Sequence, residues 1–293
     1  MSSCPDSNAP IDINMNDIVG ECDLKCSYSF KYSSSSCVVT NMGDYIKIAY
    51  DNPSSPPVKY NGVEYYVSEV RIYTLSLHSY RGYKTDGEMI IVHNSASGSK
   101  PLLVCVPMQE SESTSSASTM ITEIITTMGT NAPTNGETTN VDLDDFNLDA
   151  FVPKKTYFYY TGKEPYQPCA SDVEYIVYIP QSGPINITST ALSLLQTVIT
   201  KNLYVIGSGS KLFYNKNGSE SGTSTGLNDI YIDCQPVGVS DDETTVITGA
   251  PLNQNDIFNM LISFIKSPYF VVLVIFLLIY LMSTFSGTGD GVK

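Results

Sequence analysis

Between residues 38 and 178 the chain is a series of short apolar runs separated by polar turns. The period within each run decides what it can form. VVTNMGDYIKIAY (38–50) reads as strand, turn, strand: Gly43 punctuates it, and Tyr45, Ile46, Lys47 and Ile48 alternate. VEYYVSEVRIYTLSL (63–77) gives one or two more strands, and EMIIVHN (88–94) and PLLVCVPM (101–108) follow. The texture then changes. Residues 109–118 are rich in Ser and Glu and read as a mobile segment, whereas STMITEIITTM (118–128) sets apolar side chains at 120, 121, 124, 125 and 128, a helical spacing. Residues 129–142 read as a polar loop. YFYYTG and VEYIVYIP are again strands, TALSLLQTVI (190–199) is a short helix, 207–228 is a Gly-, Ser- and Asn-rich loop, and IYIDCQPV (230–237) is a closing strand. Many strands, two short helices and long loops predict a mainly β, α+β domain over residues 1–237, with an acidic Ser/Thr-rich loop and helix at 109–150.

The C-terminal pattern differs. From Tyr269 to Phe285 the chain reads YFVVLVIFLLIYLMSTF without a charge. As a helix this run rises about 26 Å, adequate for a bilayer core. A helix buried in a globule would show a polar face, and this one has none. The expected organisation is a linker at 238–256, an amphipathic juxtamembrane segment at 257–267, a transmembrane helix at 268–286 anchored between Tyr269 and Phe285, and a tail at 287–293. Lys266 flanks the span, and MSSCPDSNAPIDI at the start lacks the charged-then-apolar pattern of a signal peptide. These features predict a single-pass, tail-anchored protein whose N-terminal domain faces the cytosol.

Composition narrows the partners. Twenty-one Tyr and 10 Phe with no Trp suit strands. The formal net charge is −14, with 14 basic against 29 acidic residues over 1–256. Apart from the adjacent Lys154 and Lys155, Lys and Arg are scattered singly, and none occurs between 107 and 150. Such a field repels nucleic acid and sulfated glycans. Seven cysteines without a CxxC pair argue against a zinc ribbon and leave at least one free thiol; Cys105, inside LLVCVP, reads as a core residue. The glycosylation patterns at Asn186 and Asn217 read as chance matches in a cytosol-facing domain.

Four segments, in order, resemble the α-type carbonic anhydrases. NAPIDI (8–13) is similar to that family's opening motif, in which Gln-Ser-Pro precedes a hydrophobic–Asp pair. EMIIVHN is similar to its Glu-x-His-x-x-His strand. FVPKKTYFYYTGKEPYQPCASDVEYIVY (151–178) resembles its long aromatic block, and GPINIT (183–188) resembles the segment that follows. The resemblance implies a large, twisted, mostly antiparallel ten-stranded sheet with short surface helices. It also implies a zinc ion held by three histidines, which lowers the pKa of a bound water. This chain has two histidines in all, so that site cannot form. Carried over position by position, the zinc-ligand places fall on Arg71, Tyr73 and Ile90. The proton-shuttle place falls on Asp44, a further active-site carboxylate on Leu77, and the hydroxide-orienting threonine near Pro165 or Tyr166. A guanidinium offers no lone pair to a metal. His93, on the strand face opposite Glu88 and Ile90, matches a family histidine that binds no metal, and His78 matches one that bonds a tyrosine, here Tyr160. His78, Glu88, His93 and Tyr160 are therefore expected to be buried scaffold groups, with Glu88 pairing Arg71. The resemblance also implies a disulfide between Cys4 and Cys169. No cofactor is expected.

A tail-anchored version of this scaffold resembles a cell-surface-binding virion membrane protein of poxviruses. The expected role is thus non-catalytic: a minor capsid protein of a large DNA virus, with the lipid bilayer and capsid or other virion proteins as partners. The alternative is a virion-surface attachment protein that binds a host receptor or glycan. The acidic balance speaks against a sulfated glycan.

Overall fold

The computed structural model describes residues 4, 7–22, 25–167, 169 and 171–221. The linker, the juxtamembrane segment, the apolar stretch Tyr269–Phe285 and the strand expected at 230–237 lie outside the described residues. Among the described residues no helix is long and apolar enough to cross a membrane.

The strands in chain order are β1 (Asp12–Ile13), β2 (Ile18–Glu21), β3 (Tyr28–Phe30), β4 (Ser35–Asn41), β5 (Ile46–Ala49), β6 (Val58–Tyr60), β7 (Val63–Thr74) and β8 (Ser79–Tyr80). They continue with β9 (Gly87–Ser95), β10 (Leu102–Glu110), β11 (Thr138–Phe146), β12 (Tyr157–Lys163), β13 (Asp172–Val177), β14 (Ile185–Ile187), β15 (Leu212–Asn215) and β16 (Glu220–Ser221). Ten of them form one continuous path, β11-β4-β5-β7-β9-β10-β13-β12-β15-β2, with β14, β6, β3 and β16 attached at its sides. β1 and β8 make a separate parallel pair. Most neighbours on the path are antiparallel; β10–β13 and β15–β2 are parallel. The fold is therefore α+β, built on a mixed, mostly antiparallel sheet.

β9 and β10 are buried on both faces because they sit in the middle of the path and each face carries a hydrophobic layer. One layer holds Ile46, Ile48, Val70, Ile72, Ile91 and Val104 together with the inner faces of α1 (Ser116–Asn131) and α2 (Ser189–Val198). The other holds Tyr73, Leu77, Ile90, Cys105, Phe158, Tyr160 and Tyr175. α1 begins where Ser115 accepts a hydrogen bond from the Ser118 N–H, and α2 where Thr188 accepts from the Ala191 N–H, both side-chain N-caps. The two helices meet at Gly129, where a Cβ would come within 2.8 Å of Leu194. Gly43 sits at φ +82° in the β4–β5 turn, a left-handed conformation that explains the punctuation seen in the sequence.

Three expectations need correcting. The polar loop expected at 129–142 ends in an edge strand, β11, which pairs with β4 through Thr138–Val141 and then bulges before Phe146. Val141, Leu143 and Phe146 pack against the hydrophobic layer, while Asn140, Asp142, Asp144 and Asp145 stay exposed. The loop expected at 207–228 contains β15, which pairs with β12 and β2. The segment 109–118 is ordered at both ends, by β10 running to Glu110 and by α1 starting at Ser116. Cys4 is joined to Cys169, and Cys22 to Cys26, a second disulfide that nothing in the sequence indicated. Cys37 and Cys105 are buried free thiols.

Candidate functional site

β7 and β9 are antiparallel neighbours in a register that sets Arg71 opposite Ile90 and Tyr73 opposite Glu88. Alternation then puts Tyr73 and Ile90 into one hydrophobic layer, while the neighbouring Val70, Ile72 and Ile91 enter the other. The structure thus brings together all three positions to which the resemblance assigned zinc ligands. Leu77, Pro165 and Tyr166 lie around them, and Asp44 stands in the turn beside Tyr45.

The floor of this site is a closed polar network. Glu88 is fully buried. Its Oε2 accepts from the backbone N–H of Leu77 at 2.6 Å and of His78 at 3.0 Å, and its Oε1 accepts from His78 Nδ1 at 2.7 Å. His78 Nε2 lies 2.7 Å from the Tyr160 hydroxyl, and the Tyr160 ring stacks on Tyr175 with centroids 4.3 Å apart. Burial alone would push the Glu88 carboxyl up; the charge and hydrogen bonds of His78, with the Leu77 N–H, outweigh it and hold the pKa below its ordinary value. Leu77, at the place of a family carboxylate, contributes only its backbone N–H.

His93 belongs to the other face. Its Nδ1 lies 3.1 Å from the Leu102 carbonyl, which can only accept, so Nδ1 carries the hydrogen and Nε2 accepts from the Tyr32 hydroxyl at 2.9 Å. The four scaffold groups are therefore two separate networks, with His93 apart from His78, Glu88 and Tyr160.

The expected Glu88–Arg71 pair does not form. Glu88 points down to the Leu77–His78 turn, and Arg71 turns along its own strand to Glu69, with Nε 2.5 Å from Oε1 and Nη2 bonded to the same oxygen. Residues 69 and 71 share a strand face, so this partner was visible in the sequence by parity. The guanidinium sits over the Tyr166 ring, its Cζ 3.5 Å from the ring centroid, and 4.6 Å from the centroid of Tyr45. Tyr73 stands 3.4 Å from Nη1 and packs against Tyr45 and Tyr204. Burial works against the Arg71 charge, but Tyr166, Tyr73 and Glu69 outweigh it and raise its pKa.

These residues do not fit a zinc ion. Arg71 and Ile90 offer no donor, and burial holds the Tyr73 phenol protonated. A different group, His78, Glu88 and Cys105, brings its ligand atoms within 4.8 Å of one another. Both ring nitrogens of His78 and both carboxylate oxygens of Glu88 are already engaged. Burial, with the nearby Glu88 charge, raises the Cys105 pKa well above its ordinary value, so the thiol stays protonated. The same facts exclude Cys105 as a nucleophile: it is fully buried, and no ring nitrogen faces it unbonded. The site is that of a pseudoenzyme.

Among solved structures, the chain resembles the α-carbonic anhydrase of Thermovibrio ammonificans in complex with sulfanilamide (TM-score 0.60, 19% identity, covering 71% of this chain and 87% of that one). It also resembles the α-carbonic anhydrase of Photobacterium profundum (TM-score 0.59, 17% identity, 71% and 89% covered). A third similar structure is dioscorin complexed with ascorbate (TM-score 0.58, 18% identity, 72% and 86% covered). At these identities the likeness speaks for the fold. No curated protein matches the sequence. The family model described as eukaryotic-type carbonic anhydrase matches residues 2–205, well over half of the chain. The chain therefore belongs to the eukaryotic-type carbonic anhydrase family, as a member in which the three-imidazole zinc site is replaced.

Proposed function

We propose that this protein is a non-catalytic, membrane-anchored binding module, serving as a minor capsid protein of a large DNA virus that fixes an internal membrane to the capsid shell. The observation that carries the non-catalytic part is that a chain matching the family over residues 2–205 has two histidines where the family's zinc site needs three, with Arg71, Tyr73 and Ile90 at the positions the resemblance assigns to the ligands. The apolar stretch Tyr269–Phe285 supports a membrane anchor. The acidic, Tyr-, Ser- and Thr-rich domain supports protein contacts, with a basic partner as the complement of 107–150. Two tests separate the parts of this reading. The purified full chain is expected to hold less than about a tenth of an equivalent of zinc and to leave carbon dioxide hydration at the uncatalysed rate, where a working zinc site would accelerate it at least about 10⁶-fold. Stoichiometric zinc or measurable hydration would overturn the non-catalytic reading. On particles, the chain is expected to stay with the shell after detergent removes lipid. Ready removal by protease from intact particles would instead favour the second reading, an attachment protein on the virion surface. The Cys4–Cys169 and Cys22–Cys26 disulfides, which suit an oxidising location, are the observation on that side.

A further inference from the structure

We infer that Arg71 and Tyr166 form a built-in plug over the site, so that the buried Cys105–Glu88–His78 floor is sealed from solvent. Tyr166 is held in the same hydrophobic layer as Cys105, Ile90 and Tyr160, and its outer side is covered by the Arg71 guanidinium. The guanidinium is pinned in turn by Glu69 and by the second ring, Tyr45. Three segments are thus tied by one cation: β7 through Arg71, the β4–β5 turn through Tyr45, and the loop after β12 through Tyr166.

Two observations say that stacking, not hydrogen bonding, seats the plug. The Tyr166 hydroxyl is buried with no hydrogen-bond partner, so the ring is retained although its polar tip is unsatisfied. The guanidinium–ring distance is the shorter of the two cation–π contacts, at a site where Arg71 is only 14% exposed and the attraction is little screened by water. The open space that remains, a cleft of about 540 Å³, is lined by Asn8, Pro165, Tyr204 and Gly207, and Arg71, Tyr166 and Cys105 are all absent from its walls.

The inference rests on geometry and is independent of the viral reading. It is tested by thiol labelling of the full chain with iodoacetamide, read by peptide mass spectrometry. Cys105 lies under the plug, and Cys37, buried in the opposite layer, reports global opening. Tyr166→Ala and Arg71→Ala are expected to raise the Cys105 labelling rate at least about tenfold while Cys37 stays at the wild-type rate. Tyr166→Phe keeps the ring and is expected to label like wild type. Arg71→Lys, which keeps a charge but not the planar face, is expected to fall between Arg71→Ala and wild type. The inference is overturned if Cys105 labels equally in wild type and in Tyr166→Ala. It is equally overturned if Cys105 and Cys37 rise together in both alanine variants, since that would make Arg71 and Tyr166 ordinary contributors to global stability.

Discussion

Glu88→Ala is expected to destabilise the domain by roughly 3–5 kcal/mol, the range for removing one partner from a buried, fully engaged charged network. The loss is large because three donors are stranded together in a fully buried layer: the N–H groups of Leu77 and His78 and the His78 ring. Glu88→Gln separates charge from connectivity. Its side-chain oxygen still accepts from the two backbone donors, and its amide faces His78 Nδ1, which the other tautomer turns into an acceptor. The expected loss is about 1–2 kcal/mol. Urea unfolding at pH 7.5, followed by tyrosine fluorescence, checks both. Equal losses for the two variants, or a loss below about 1 kcal/mol for Glu88→Ala, would show that the network does not hold the floor together.

The second expectation concerns acid. Burial pushes the His93 pKa down from 6.5 to about 4, against weaker opposition from the hydrogen bonds of the Leu102 and Ile91 backbones. The folded state therefore keeps His93 neutral where the unfolded chain has already taken up a proton. Between pH 6.5 and about 4 the unfolded state binds more protons, so stability falls as pH falls, and it is fully retained above pH 6.5. The depression corresponds to roughly 3 kcal/mol across that window. Glu88 acts lower down. Its carboxyl is depressed, so its contribution is present above its unfolded value near 4.5 and is lost as pH falls through the folded one. His93→Gln, which cannot titrate, should flatten the slope between pH 6.5 and 4.5 while sparing the steeper loss below it. A wild-type stability that does not change over that upper window would sink the assignment.

The sheet was largely legible because its strands carry period-two or continuous apolar runs that no surface loop would contain. β9 and β10 show this best, and their central burial follows from having no polar face. β11 was missed for the converse reason. As the outermost strand of the path it packs only Val141, Leu143 and Phe146 against the core and presents polar and acidic residues outward, a composition that reads as loop. β15 was missed because four residues in a Gly- and Ser-rich setting carry too little pattern. At the site, the loss of zinc chemistry needed only a count of imidazoles. The partner of Arg71 was misjudged because facing strands suggested Glu88, whereas the Leu77–His78 turn holds Glu88 with three hydrogen bonds.

The sequence by itself thus determined the shortage of metal donors and the opposite facing of Glu88 and His93, which depend only on residue type and strand parity, and its four motif segments implied the scaffold by resemblance. Only the tertiary structure decided that the polar groups split into two networks, that Cys105 lies beside Glu88, and that Tyr45 and Tyr166 enclose a guanidinium. These are meetings between residues from 9 (His93 and Leu102) to 95 (Arg71 and Tyr166) positions apart, brought together by sheet register and loop path, and no local pattern encodes them.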